Sequence, residues 1–480
     1  LRQEAAAVLV FAAAFVLLGW WSQPLGYGYL DPVARIEPQD ECVYAHAALR
    51  MAERGEWATP YFLGRFFLYK PPLLYWATGA AVKLLGRSEF ALRLPSRLAG
   101  AAVCLLVFLW TQRWAAALLV AATPLFGQLA NRTMTDALLC LFLVLALWLV
   151  HRGAPWWAVG AVGGLAILTK STAGLVPLGI YFGYTALAKP RPPWWQPFAA
   201  SILASLVAAP WFLYQWLVHP RWFWAEFVEV ELLAYGAGAP PQQTAGETFW
   251  GFYAVRIAAV ALAVTAGAAA AAWKWWQPLS RRQPEAVLLA LWVVLMGAAI
   301  ASYQYRNIPY LLPLVPPLAI IASRWAPSVF AAIAVAIACL TPASQPVERL
   351  PVRQALERRA AMARPNDVLV VNLTEQFYAT TLPLPRVRYA LPAAEQPPAG
   401  FTLDFRRLGI TVSVGDFLRG NHHARRAELL AWGLPDDSAL ASVIEYRSPE
   451  EVEQLVAAQP TWDVVFPDGR LRLGSAMIPR

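Results

Sequence analysis

Between residues 114 and 341 the charged residues fall in short islands separated by long apolar runs, and that spacing constrains the fold more than any other feature. A helix rises about 1.5 Å per residue and satisfies its own backbone, so an apolar stretch of about 17–25 residues crosses a bilayer. Eleven such stretches are read, centred near Phe15, Cys104, Val120, Leu145, Val162, Leu178, Leu206, Thr265, Trp292, Val315 and Ala334. Some uncharged cores are short, as at 137–150, and one pair is open to a re-entrant reading. Composition agrees. Of the 480 residues 58% are hydrophobic and 14% charged, against about 45–50% and 25% in globular proteins. The expected fold is an all-α polytopic membrane domain over 1–341, which excludes a soluble enzyme.

Basic residues in short loops orient such a domain. With the N-terminus and Arg2 cytoplasmic, the inner loops hold Arg113, Arg152, Lys189, Arg191, Lys274, Arg281, Arg282 and Arg324. The opposing short loops hold Arg132, Lys170 and Arg306. Two long segments, 23–93 and 219–256, then lie on the outer face, and an odd span count puts 342–480 outside too. The first apolar run lacks a small-residue cleavage site and is expected to be a retained helix. The net charge of +9 requires no nucleic acid, because Lys and Arg flanking helices meet anionic lipid headgroups. Cys104, Cys140 and Cys339 sit in apolar runs and leave Cys42 without an exposed partner, so neither a disulfide framework nor a Cys/His metal spacing is read.

After residue 341 the composition changes. A Pro-rich linker (341–351) precedes helical character at 353–362 and a β-type run at 367–373, an order repeated by 450–458 and 462–466. Residues 342–480 are expected to form a small extracytoplasmic α/β domain.

The candidate chemistry lies on the outer side. Asp40 and Glu41 precede a helical stretch over 43–54 that Gly55 should end. Asp40 reads either as a helix N-cap or as an outward carboxylate that takes a proton from a hydroxyl. Lys70 stands before Pro71 and Pro72, which keep it out of a helix interior; it is a snorkelling anchor or a point charge for a phosphate. Asp136, Lys170 and Arg306 lie at outer helix ends, where ionisable groups either anchor the helix or mark a site. All three fall on the same membrane face as Asp40 and Lys70, which favours a polar, anion-binding cavity.

The order of these pieces resembles a known family. Asp40-Glu41-x-x-Tyr44-Ala45, Gly55-Glu56-Trp57, Lys70-Pro71-Pro72-Leu73 and Glu89-x-x-x-Arg93-Leu94-Pro95 look like the first outer loop of the dolichyl- and undecaprenyl-phosphate-sugar glycosyltransferases of the GT-C superfamily. These include the aminoarabinose transferases of lipid A modification and relatives of the protein O-mannosyltransferases. Asp136-Ala137-Leu138-Leu139, residues 164–170 and Arg306-x-x-Pro309-Tyr310-x-x-Pro313 resemble that family's later motifs, and the resemblance covers about residues 24–319. It implies transfer of a sugar from a polyprenyl phosphate to an envelope acceptor at the outer membrane face, with inversion. Carried onto this chain, it makes Asp40 the catalytic carboxylate and Lys70 and Arg306 the phosphate ligands. Lys170 becomes a second contact, Asp136 a positioning group, and Tyr44 and Tyr310 cavity lining, with Glu41 beside them.

Three positions depart from the family: Val43 where a basic residue is frequent, Tyr69 before the Lys-Pro motif, and Glu231-Leu232 in the second long loop. The last two replace the metal ligands of the lipid A branch, so no zinc is expected there and a divalent cation is not indicated. They also weaken lipid A as acceptor. A flippase of lipid-linked sugars shares the apolar spans, but it usually shows inverted repeats, and none is found. A non-catalytic envelope assembly protein is the third reading. A reporter active only in the cytoplasm, fused near Asp437, is expected to be silent, and an export-dependent reporter there active; the reverse pattern sinks the orientation.

Overall fold

The computed structural model describes residues 2–21, 39–62, 65–234, 249–302, 306–325 and 329–340, with short strands at 368–370, 388–390, 402–403, 444–445, 461–466 and 469–474. The membrane part is a bundle of apolar helices. Helix α1 (Arg2–Gly19) is followed by α2 (Gln39–Arg54), a two-residue hairpin of Tyr61–Phe62 with Arg65–Phe66, and α3 (Leu73–Leu85). Then come α4 (Glu89–Thr111), α5 (Trp114–Ala121), α6 (Pro124–Ala130), α7 (Thr135–His151), α8 (Trp156–Lys170), α9 (Val176–Leu187) and α10 (Gln196–Val218). A π-helix (Phe223–Ala234) and helices Phe249–Ser280, Pro284–Ser302, Val315–Trp325 and Val329–Leu340 complete it.

Every expected span centre falls in one of these helices, but the eleven are not equivalent. Among the described residues five helical runs are long and apolar enough to cross a bilayer, or up to six if α6 and α7 form one broken span bent by 110°. The run near Val120 is broken into α5 and α6 of 8 and 7 residues. Pro124 causes the break, since the residue before a proline is pushed out of the α region; Thr123 has ψ 119°. The runs near Val162 and Leu178 are helically continuous through a 3-10 turn (Ser171–Leu175), yet the chain doubles back there. Ser171 has φ +35°, and a Cβ on Gly163 would lie 3.2 Å from Leu178 Cδ2, whereas fifteen residues of straight helix span about 22 Å.

The bundle has two chemically different ends. Helix α7 holds Asp136 in its first turn and finishes at His151, whose ring stacks on Trp110 at 4.8 Å. Trp110, near the end of α4, donates its indole N–H to Glu285 at 3.2 Å, and Arg324 pairs with the same carboxylate at 3.0 Å. Arg113 reaches the carbonyl of Ser323, and the Lys189 N–H bonds to the carbonyl of Arg282 at 3.2 Å. Arg113, Arg152, Lys189, Arg282 and Arg324 thus share the end opposite Asp136 and Lys170, the segregation read from the loops.

Past residue 340, Val368–Val370 pairs in parallel with Arg388–Ala390, Thr402–Leu403 antiparallel with Ile444–Glu445, and Thr461–Phe466 antiparallel with Gly469–Gly474. The expected strands at 367–373 and 462–466 are among them. The expected helices at 353–362 and 450–458 lie outside the described residues.

Close packing inside the bundle relies on small residues, because lipid gives no hydrophobic drive between helices. Gly160 and Gly164 of α8 face Ala200 and Ala204 of α10; a Cβ on Gly160 would fall 2.7 Å from the Ala200 carbonyl, and one on Gly164 2.5 Å from Val207 Cβ. Gly164→Val is therefore expected to cost about 1–3 kcal/mol through overpacking, read as a lowered melting temperature in detergent. An unchanged melting temperature would show that this interface is not tightly packed.

Candidate functional site

Lys70 owes its position to the prolines after it. The chain leaves the 61–66 hairpin extended, bends at Tyr69 and Lys70, and enters α3 with Pro72 at the N-cap. A proline has no N–H and its ring bars a helix through the preceding residue, so the Lys70 side chain projects away from α3. It forms a short ion pair with Glu231 of the π-helix. Two residues earlier, the Leu68 N–H donates to the buried Glu226 carboxylate at 2.6 Å.

Asp136 and Lys170 form a second pair, at 2.7 Å. Asp136 lies in the first turn of α7 and Lys170 in the last turn of α8. Each carries the charge that its own helix end favours, negative at an N-terminus and positive at a C-terminus. The Lys170 ammonium also sits 5.0 Å above the centre of the Tyr310 ring, a favourable cation–π distance. Both pairs border one cavity of about 180 Å³, lined by Lys70, Asp136, Lys170, Glu231 and Tyr310 and by apolar groups such as Met296 and Ile300.

The remaining expected residues, Asp40, Glu41, Tyr44 and Arg306, are not part of the cavity lining. Helix α2 starts at Gln39 and ends at Arg54, with Gly55 at φ +74°, so Asp40 is inside the first turn and not at the cap. Tyr44 is buried against Phe67 and Tyr75, at 6.3 and 6.1 Å between ring centres. Burial raises the pKa of Tyr44, and the charges of Asp40, Tyr75, Glu231 and Asp136 raise it further. Burial raises that of Tyr75 as well, followed by Glu231, Glu226 and Asp40. Both phenols stay protonated, and both lie within the field of Asp40 and Glu231. Arg306 sits beside Tyr253, whose hydroxyl donates to the carbonyl of the neighbouring Asn307 at 3.4 Å.

Glu41 has a different task from Asp40. It is fully buried and takes two hydrogen bonds from the Arg93 guanidinium, at 2.6 and 2.9 Å, and a third from the Thr133 N–H at 3.2 Å. This pair ties α2 to α4 and to the elbow between α6 and α7. Next to it, the Thr133 hydroxyl bonds to the Leu92 carbonyl at 3.0 Å, and the Ser96 hydroxyl to the Met134 carbonyl at 3.4 Å. The Glu41 charge is balanced by Arg93.

Sequence reasoning did not assign Glu231 a role. The signal was faint: Glu226 and Glu231, five residues apart, share a face only in a π-helix, which 3.6-residue periodicity does not describe. Among the described residues no three His, Cys, Asp or Glu side chains converge as metal ligands. The acids at the cavity each face a lysine, a donor set unsuited to a cation.

Residues 69–216 match the family described as dolichyl-phosphate-mannose-protein mannosyltransferase. Curated relatives include the undecaprenyl phosphate-alpha-4-amino-4-deoxy-L-arabinose arabinosyl transferase 1 of Sodalis glossinidius, 30% identical over 60% of this chain and 54% of that one. The transferase of the same description from Pectobacterium carotovorum is 29% identical over 60% and 54%. The chain thus spans about half the length of the curated relatives it matches. The crystal structure of ArnT from Cupriavidus metallidurans bound to undecaprenyl phosphate superposes with a TM-score of 0.67, covering 99% of each chain at 16% identity.

Because removing one member of a buried ion pair leaves an uncompensated charge, Glu41→Gln or Arg93→Met is expected to cost about 3–5 kcal/mol. The double variant should lose less than the sum of the two. Melting temperatures in detergent check this, and strictly additive losses would deny the coupling.

Proposed function

We infer that this chain, a multi-span helical membrane protein of the GT-C glycosyltransferase fold, moves a sugar from a polyprenyl-phosphate carrier onto an envelope acceptor. The observation that carries the reading is the cavity flanked by two lysines, Lys70 and Lys170, with apolar walls between helix ends. A lipid phosphate needs that combination: cations for the head group and an apolar surface for the chain. Names of the relatives support an undecaprenyl-phosphate sugar as donor, and the likeness to ArnT with undecaprenyl phosphate bound agrees.

In this reading Asp40 deprotonates or orients the acceptor hydroxyl, which attacks the anomeric carbon from the face opposite the phosphate. The C–O bond to the phosphate breaks as the new glycosidic bond forms, with inversion. Lys70 and Arg306 stabilise the charge that grows on the departing phosphate. Lys170 adds a second positive group, held in place by Asp136. The neutral phenols of Tyr44 and Tyr75 flank Asp40, and Tyr310 shapes the wall under Lys170.

The reading further includes eleven spans over residues 1–341, a cavity opening to the periplasmic or extracellular face, and 342–480 as a small α/β domain on that side. The loop charges support it under the positive-inside rule. A flippase needs no acid beside its cavity, so Asp40 separates transfer from transport.

Lys70→Ala is expected to weaken donor binding by roughly ten- to hundredfold, the equivalent of one charge-assisted contact. Asp40→Asn should leave donor binding nearly unchanged while slowing turnover by about 10²–10⁴-fold, since the carboxamide accepts no proton. Lipid-donor titration and single-turnover transfer with both variants check this, and a nucleotide sugar without carrier should give no product. Turnover of Asp40→Asn within about threefold of the parent, far from a general base's share, sinks the catalytic assignment.

A further inference from the structure

The lysine assigned to the donor phosphate already holds an anion. Its partner, Glu231, belongs to the π-helix Phe223–Ala234, which also sends Glu226 to the Leu68 N–H. Two carboxylates five residues apart thus grip one short stretch, 68–70. In an α-helix, at about 100° per residue, they would point about 140° apart; the i→i+5 bonding of a π-helix brings them to one face. The π register is what delivers Glu231 to Lys70.

The cavity is consequently balanced. Its charged lining residues are Lys70 and Lys170 against Asp136 and Glu231, two of each sign. The phenols of Tyr44 and Tyr75 also lie in the field of Glu231. An incoming phosphate gains little from a neutral site, and two anions against one ammonium at low dielectric repel each other. One carboxylate has to yield. Asp136 is the less exposed acid, 3% against 9% for Glu231, and it is favoured at the start of α7. Glu231 hangs from a π-helix, a rare and weakly bonded form that clusters at functional sites.

We propose that Glu231 is a resident counter-anion, displaced from Lys70 when the donor phosphate arrives, and so a positioning residue that sets donor affinity. This rests on Lys70 as the phosphate ligand. It deepens that reading by giving the second outer segment a role: it keeps Lys70 desolvated, aligned and occupied until a stronger anion enters.

The test measures binding of undecaprenyl phosphate, with undecaprenol as the phosphate-free control, to the purified full-length chain in detergent. Glu231→Gln and Glu231→Ala should each bind the phosphate about tenfold more tightly, the affinity equivalent of one charge-assisted contact. Both should bind undecaprenol like the parent and lower the donor KM without raising kcat. Glu231→Asp, which keeps the charge, should stay close to the parent, and matched melting temperatures exclude a folding cause. If Lys70→Ala weakens phosphate binding but both Glu231 variants bind it equally or more weakly than the parent, Glu231 is a support and the counter-anion idea is overturned. If Lys70→Ala leaves phosphate binding unchanged, the Lys70 reading and this inference fall together.

Discussion

The Glu41–Arg93 pair is the constraint on which the site depends. A charge buried this deeply is tolerated only with a partner and saturated hydrogen bonds, and here both oxygens are engaged by Arg93, with the Thr133 N–H added. Each contact comes from a different piece of chain: α2, α4, and the elbow that opens α7. Asp40 and Tyr44 lie on the first of these and Asp136 on the last. Their relative placement follows from one electrostatic knot, which also explains why α6 and α7, bent by 110° at an elbow bonded to Glu41 through Thr133, can hold a defined geometry.

Around that knot, charge is distributed by helix ends. Asp136 begins α7 and Lys170 ends α8, so the dipoles of two neighbouring helices favour the ion pair that borders the cavity. Lys70 is held differently, by prolines that deny it a helix and by a carboxylate reaching over from a distant segment. The first pair is anchored by regular structure, the second by irregular structure. Under the proposed role of the cavity as a phosphate site, that difference separates the fixed part from the exchangeable one.

The opposite end of the bundle is built from other materials. Glu285 gathers Arg324 and the Trp110 indole, while exposed tryptophans such as Trp194, Trp273 and Trp276 accompany Lys189, Arg191, Lys274 and Arg282. Aromatic rings and basic side chains together suit a headgroup layer. Between the two ends, glycines and alanines let α8 and α10 approach until their backbones nearly touch, a packing that large side chains would prevent.

Apolar spacing and loop charge determined the membrane class, the helix positions and the segregation of basic residues to one end, because each follows from transfer energies that act locally. The proline pair made Lys70 non-helical for the same local reason, and Lys70, Asp136 and Lys170 were legible as one group with Asp40 and Arg306 since all five were read on one membrane face, whereas Tyr310 was named through the family resemblance. Length was less legible: Pro124 cuts one apolar run into two short helices, and Ser171 folds another back, neither of which hydropathy registers. Partners were not legible at all. That Glu41 rather than its neighbour Asp40 answers Arg93 depends on how α2 is set beside α4. That Glu231 reaches Lys70 across 161 positions depends on a π-helical register with no compositional signature. Such pairings are fixed only when distant segments are brought into a low-dielectric interior, where an unpaired charge costs too much to persist.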